Sequence, residues 1–178
     1  YEKTGKTGVM ISAVDLLKGI AVGAGMKNIM VPGANGGLRT NYEGKARAAV
    51  KALLEGGADF AYIHVEAPDE MGHQGSVEKK IQAIENIDTR VIKPLKEGLD
   101  RSGEPYRLLV LPDHPTPIRV RTHTSDDVPF LLYDSREDTG AAGREDRPRY
   151  NEKEAAETGI RVEKGHELIR KLFCCTTQ

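Results

Sequence analysis

Tryptophan is absent from the 178 residues, aromatic side chains make up only 5%, and there are two cysteines. Those two, Cys174 and Cys175, are adjacent. Neighbouring cysteines rarely bridge, and no CxxC or Cys/His spacing occurs, so neither a disulfide framework nor a thiolate zinc site is expected. An excess of one charge is also lacking: 26 basic against 27 acidic side chains leave a formal net charge of -1. That balance excludes a polybasic nucleic-acid binder. No apolar run approaches the roughly 20 residues of a membrane-spanning helix, and the opening Tyr1 to Lys6 has no apolar signal core. The expectation is therefore a soluble, cytoplasmic chain with neither nucleic acid nor membrane as partner. With 38% hydrophobic and 30% charged residues the chain is polar but well short of a disordered composition. One folded domain is expected. The opening reads as mid-chain sequence, which suggests a piece of a longer protein.

What is present is an alternation of periods. Apolar residues switch repeatedly between helical and strand spacing, the signature of an α/β layered fold with a mostly parallel sheet. The stretch Ile11 to Ile20 reads as a helix capped by Ser12 and ending near Gly23 or Gly25. Asn28 to Val31 reads as a short strand, Pro32 to Gly37 as a glycine-rich loop, and Tyr42 to Leu54 as a helix stopped by Gly56-Gly57. Asp59 to Val65 is a mostly apolar run of the kind buried on both faces, and the first strand that reads as central. From Ser76 to Leu99, Val77, Ile81, Ile84, Ile87, Val91, Ile92, Leu95 and Leu99 recur three or four apart. The spacing predicts one long amphipathic helix, kinked by Pro94, with Lys79, Lys80, Glu85 and Arg90 facing water. Arg107 to Leu111 and Val128 to Tyr133 read as further strands. Asp134 to Arg149 reads as a mobile surface excursion, with a short helix starting near Asn151 and a last one over Glu163 to Phe173.

Three of the five histidines lie in loops that follow or join the proposed strands, each beside a carboxylate or polar group. After the strand ending at Val65, Asp69 and His73 are four apart, which on a helical turn places them on one face. Leu111-Pro112 leads into the adjacent pair Asp113-His114, and His123 follows in RTHTSD. Loops at the carboxyl ends of strands converge on the ligand crevice of open α/β sheets, so these five donors could meet. A mixed carboxylate and imidazole set suits Mn²⁺, Zn²⁺ or Fe, whereas Ca²⁺ favours oxygen alone. Five donors exceed one tetrahedral shell. They suit two ions, about 3.5 to 4 Å apart, clamping a phosphoryl displacement. The bland alternative is a helix cap, a solvated histidine and a strand end.

DFAYIHVEAPDEMGHQG at Asp59 to Gly75, LLVLPDHPTPI at Leu108 to Ile118 and THTSDDVPFLLY at Thr122 to Tyr133 resemble the archaeal-type, cofactor-independent phosphoglycerate mutases of the alkaline phosphatase superfamily. ISAVDLLKGIA at Ile11, TNYEGKA at Thr40 and EKGHELI near the end are similar to the same family. The resemblance implies that residues 1–178 are the C-terminal part of a metal-binding, phosphatase-like domain. It implies interconversion of 3-phosphoglycerate and 2-phosphoglycerate through a phosphoserine, supported by two divalent ions: Mn²⁺ first, with Mg²⁺, Zn²⁺ or Co²⁺ as alternatives. By match to the motifs, Asp69, His73 and His123 hold one ion, and Asp113 and His114 contribute to the other. The nucleophilic serine, an N-terminal aspartate and the inserted substrate domain of that family have no counterpart here, so the fragment alone is expected to be inactive. No nucleophile is assigned among Ser12, Ser76, Ser102, Ser125 and Ser135, which read as caps or loop residues. Asp127 stands where the family has a proline. Two other readings are another phosphomonoesterase or phosphotransferase of the superfamily, and a metal-binding module without catalysis.

The remaining features read as structural. The Gly33 to Gly37 loop is a turn rather than a phosphate cradle. Lys18 and Lys45 are read as solvated helix faces, His64 as a strand histidine with a partner, and His166 as a residue at a helix start. Arg119 and Arg121 either counter substrate charge or alternate along an exposed strand. The sequence sets no oligomeric state.

Overall fold

The computed structural model describes residues 5–138 and 149–173. Most of the expected excursion between Asp134 and Arg149, and both cysteines, lie outside them. Internal contacts divide the chain into two compact units, residues 1–104 with 116–123, and residues 105–115 with 124–178. Among the described residues no helix is long and apolar enough to cross a membrane.

The first unit is built on a parallel sheet whose central strand is β1, Gly8–Ile11, flanked by β2, Lys27–Asn28, and β3, Phe60–Ile63. Val9 stands opposite Lys27 on one side and Ala61 on the other. All four residues of β1 are buried, as a parallel strand covered on both faces should be. The expectation of a helix from Ile11 is corrected here. A short apolar run such as Val9-Met10-Ile11 does not reveal by periodicity whether it opens a helix or fills a buried strand. Ser12 does not cap a helix: its Oγ accepts from the Val14 amide at 3.0 Å, turning the chain into helix α1, Asp15–Gly23. The second strand is also shorter than Asn28 to Val31.

Helix α2, Tyr42–Leu54, has the expected bounds. Asn41 caps it, its Oδ1 accepting from the Gly44 amide at 2.9 Å while its Nδ2 donates to the Pro32 carbonyl at 2.8 Å, which pins the glycine-rich loop to the helix start. After β3 come helix α3, Ala67–His73, and α4, Val77–Ile87. The single long helix expected after Ser76 is instead α4, a π-helical turn over Asp88–Ile92, and α5, Lys93–Asp100. Pro94 has no N–H to give the Arg90 carbonyl, and the wider turn directly precedes it. Val91, Leu95 and Leu99 of the anticipated stripe are buried, but Val77, Ile81 and Ile84 are exposed. Tyr42, Ala46, Ala67, Met71, Ala83 and Val91 form the core between α2, α3, α4 and the π turn, with Ile63 and Val65 packed against it. Arg90 stacks 4.9 Å above the Tyr42 ring and forms a forked pair with Glu43 at 2.6 and 3.0 Å, so it is not a free surface cation.

The second unit contains β4, Arg107–Val110, paired antiparallel with β5, Leu131–Asp134. Both strands were expected, but not this pairing. The 111–130 connection contains no helix to carry a parallel crossover, which leaves the antiparallel ladder. Arg107 Nε donates to Asp134 Oδ2 at 2.7 Å, with both side chains about nine-tenths buried. Arg136 pairs with the same carboxylate, and Asp127 pairs with Arg161 at 3.3 Å. Asn151 caps helix α6, Glu152–Glu157, by accepting from the Glu154 amide at 2.9 Å. A 3₁₀ turn over Gly165–Glu167, which contains His166, leads into α7, Leu168–Phe173, in place of one continuous helix.

Candidate metal centre

The site begins where β3 ends. His64, Val65 and Glu66 carry the chain out of the sheet into α3, whose first turn contains Pro68. Proline is pre-organised for that position and loses no hydrogen bond there. Helical spacing then brings Asp69 and His73 onto one face, and His73 Nε2 lies 3.3 Å from Asp69 Oδ2. The third group arrives from the 116–123 segment of the same unit. His123 Nε2 is 3.3 Å from Asp69 Oδ1 and 3.3 Å from His73 Nε2. One carboxylate and two imidazoles thus present their donor atoms to a common point. The side chains of Asp69, His73 and His123 are 30%, 37% and 51% exposed, so the point is open enough for an ion and a small molecule to reach.

The protonation pattern of His73 follows from its other nitrogen. Nδ1 lies 2.9 Å from the Arg121 carbonyl oxygen. A carbonyl only accepts, so Nδ1 carries the hydrogen and donates it. In the neutral ring the Nε2 lone pair then faces the Asp69 carboxylate. A lone pair and an anionic oxygen at that separation repel unless a cation, either a proton or a metal ion, lies between them. The donor spacing fits a metal: ligands about 2.0 to 2.1 Å from a tetrahedral centre are separated by about 3.3 Å.

Asp113 and His114 follow β4 in the second unit, with His114 Nε2 3.4 Å from Asp113 Oδ2. Arg119 and Arg121 do not alternate along a strand: residues 118–120 form a turn, and Arg121 has φ 58°.

Beside the cluster, sequence reasoning missed a buried cation. Lys45 was expected in water, but it is fully buried and its Nζ donates to the His64 carbonyl at 2.7 Å. Burial lowers its pKa from the ordinary lysine value, and the nearby Glu66 carboxylate opposes that shift. Glu66 Oε2 is itself buried without a hydrogen-bond partner. The missed signal was the company Lys45 keeps, because Tyr42, Ala46, Ala49 and Ala52 mark the inward face of α2. His64 accords with its reading, its Nδ1 lying 3.4 Å from Ser12 Oγ. Thr116 was also missed. Its hydroxyl donates to Asp69 Oδ1, and only its place between two prolines in PDHPTPI hinted at a fixed conformation.

With this geometry in view, a family model described as the metalloenzyme superfamily matches residues 1–162. The 2,3-bisphosphoglycerate-independent phosphoglycerate mutase of Methanothrix thermoacetophila is 50% identical over 173 residues, covering 97% of this chain and 42% of that protein. The protein of the same name from Sulfurisphaera tokodaii is 38% identical over 163 residues, 92% of this chain and 37% of its own length. Among solved structures, the PH0037 protein from Pyrococcus horikoshii has a TM-score of 0.78 at 28% identity, over 97% of this chain and 49% of that one. The chain therefore spans less than half the length of these relatives.

Proposed function

Because the chain belongs to the metalloenzyme superfamily, we propose that Asp69, His73 and His123 hold one divalent ion in a phosphoglycerate mutase. The reaction is the interconversion of 3-phosphoglycerate and 2-phosphoglycerate through a phosphoserine, a step of glycolysis in the cytoplasm. The observation that carries the reading is the convergence of the His73 Nε2 lone pair, the His123 Nε2 atom and both Asp69 oxygens at 3.3 Å spacing. The mutase names of relatives up to 50% identical over nearly the whole chain support the substrate. Asp113 and His114 are the residues proposed to contribute to a second ion. Imidazole with carboxylate suits Mn²⁺, and Zn²⁺ or Co²⁺ would satisfy the same donors. When bound, such an ion neutralises charge on phosphoryl oxygens and lowers the pKa of a coordinated hydroxyl.

The chain's own part is to hold and aim. The i, i+4 pair on α3 fixes two donors on a rigid element, and the carbonyl of Arg121 keeps the hydrogen of His73 away from the cluster. The 178 residues are proposed as the C-terminal part of the catalytic domain, with the nucleophile supplied by the longer protein. The test uses the full-length protein with Mn²⁺. Conversion of 3-phosphoglycerate to 2-phosphoglycerate is expected, and Asp69→Ala or His123→Ala should abolish it with an unchanged circular dichroism spectrum. Release of free phosphate with no 2-phosphoglycerate would mark a phosphomonoesterase instead. Near-normal turnover with normal metal content in either variant would overturn the ligand assignment.

A further inference from the structure

The donors of the cluster do not hold themselves in place, and the residues that hold them come from one short segment. Thr116 donates its hydroxyl to Asp69 Oδ1 across 47 positions of sequence, and it is only 4% exposed. It is fixed from two further directions. Lys80 of α4 donates to its carbonyl at 2.7 Å. Gly72 of α3 lies so close that a Cβ there would stand 2.6 Å from the same carbonyl oxygen. A threonine whose carbonyl is held by Lys80 and packed against Gly72 has little freedom to swing its hydroxyl away from Asp69.

Five residues on, the same segment supplies the Arg121 carbonyl that accepts from His73 Nδ1. The backbone there is unusual: Arg121 has φ 58°, a left-handed conformation that costs a non-glycine residue about 1 kcal/mol or more. Its guanidinium occupies the space beside Gly75, where a Cβ would lie 2.5 Å from Nε. Gly75 itself has φ 68°. Strain of this kind persists where the surrounding structure over-determines it, and here it turns the Arg121 carbonyl toward His73.

We infer that Thr116–Arg121 is the outer shell of the metal centre, Thr116 being the positioning residue that orients the Asp69 carboxylate and the Arg121 carbonyl the group that fixes the His73 tautomer. The inference rests on the metal reading of Asp69, His73 and His123. Outer-shell partners of metal ligands act through aim and basicity, and losing one typically weakens metal binding about 10- to 100-fold. Thr116→Val removes the hydroxyl while keeping the shape, and Thr116→Ser keeps the hydroxyl.

The experiment is Zn²⁺ titration calorimetry on the 178-residue protein, with thermal melts of the metal-free forms as a folding control. Wild type should bind, Thr116→Val should bind about 10- to 100-fold more weakly, and Thr116→Ser should recover most of the difference. Equal affinity for wild type and Thr116→Val would overturn the role of Thr116 while leaving the metal reading intact. No binding by wild type would instead overturn the metal reading, and this inference with it. Nitrogen-15 NMR of the metal-free wild type needs no variant. It should show His73 protonated at Nδ1, and a hydrogen on Nε2 alone would overturn the role of the Arg121 carbonyl.

Discussion

Replacing Lys45 by Met tests whether a buried cation organises the end of β3. The wild-type ammonium is fully buried and donates a 2.7 Å hydrogen bond to the His64 carbonyl. Methionine fills similar space but takes this charged donor away from the His64 carbonyl, at about 1 to 3 kcal/mol. It also removes the cation near the half-buried Glu66 carboxylate, a neighbour that favours the charged form of Lys45. Against this stands the relief of no longer burying an ammonium. The expected balance at neutral pH is a loss of about 2 kcal/mol, since breaking one side of a buried polar arrangement outweighs the relief. For a chain of this size that lowers the melting temperature by about 4 to 8 °C.

The loss should also depend on pH. Burial lowers the Lys45 pKa from 10.5, so the unfolded chain binds more protons than the folded one between the folded value and 10.5. Stability therefore rises with pH across that window. The cost of the buried charge is full below the folded pKa and fades above it. The Met variant lacks this contribution, so its deficit relative to wild type should widen as pH climbs from neutral toward 10. Urea denaturation at matched pH values for the two proteins measures this directly. A variant as stable as wild type at pH 7, with a difference flat in pH, would refute the reasoning.

Two further outcomes follow from close contacts. Gly72→Ala should destabilise by about 1 to 2 kcal/mol, because overpacking against Thr116 and Lys80 costs about 1 to 3 kcal/mol while alanine regains under 1 kcal/mol of helix preference; a melt showing stabilisation would contradict it. Asp134→Asn should cost about 3 kcal/mol, as it removes the carboxylate charge that balances the buried Arg107 guanidinium. Arg136 first, then Arg107, holds the Asp134 carboxyl well below the usual carboxylate range. Its stabilisation is present above the ordinary aspartate pKa and lost as pH falls toward the folded value, so the variant's deficit should shrink in acid denaturation curves.

The parts of the fold legible in the sequence are those with a local cause. Gly56-Gly57 stops α2, and the apolar run before the APDEMGH segment marks β3. The i, i+4 relation of Asp69 and His73 is a property of any helical turn, so it too could be read directly. Parts set by long-range packing could not be read in this way. Val9-Met10-Ile11 becomes a central strand only because two other strands flank it. Lys45 is buried where its ammonium meets the His64 carbonyl, 19 residues away. Val77, Ile81 and Ile84 have the spacing of a core stripe yet face outward, since periodicity identifies a common face without saying what covers it. The 3.3 Å meeting of His123 with His73 spans 50 residues. Spacing could bring it only as far as a loop at the right end of a strand.

The claim that Asp69, His73 and His123 form a metal centre is tested most directly by crystallising the 178-residue protein with Mn²⁺ and recording anomalous diffraction. The account predicts a peak about 2.0 to 2.3 Å from an Asp69 oxygen and from the Nε2 atoms of His73 and His123, which disappears in Asp69→Ala crystals grown the same way. Bound Mn²⁺ elsewhere on the chain with none at these three side chains, or a peak at this point that survives Asp69→Ala, would contradict it.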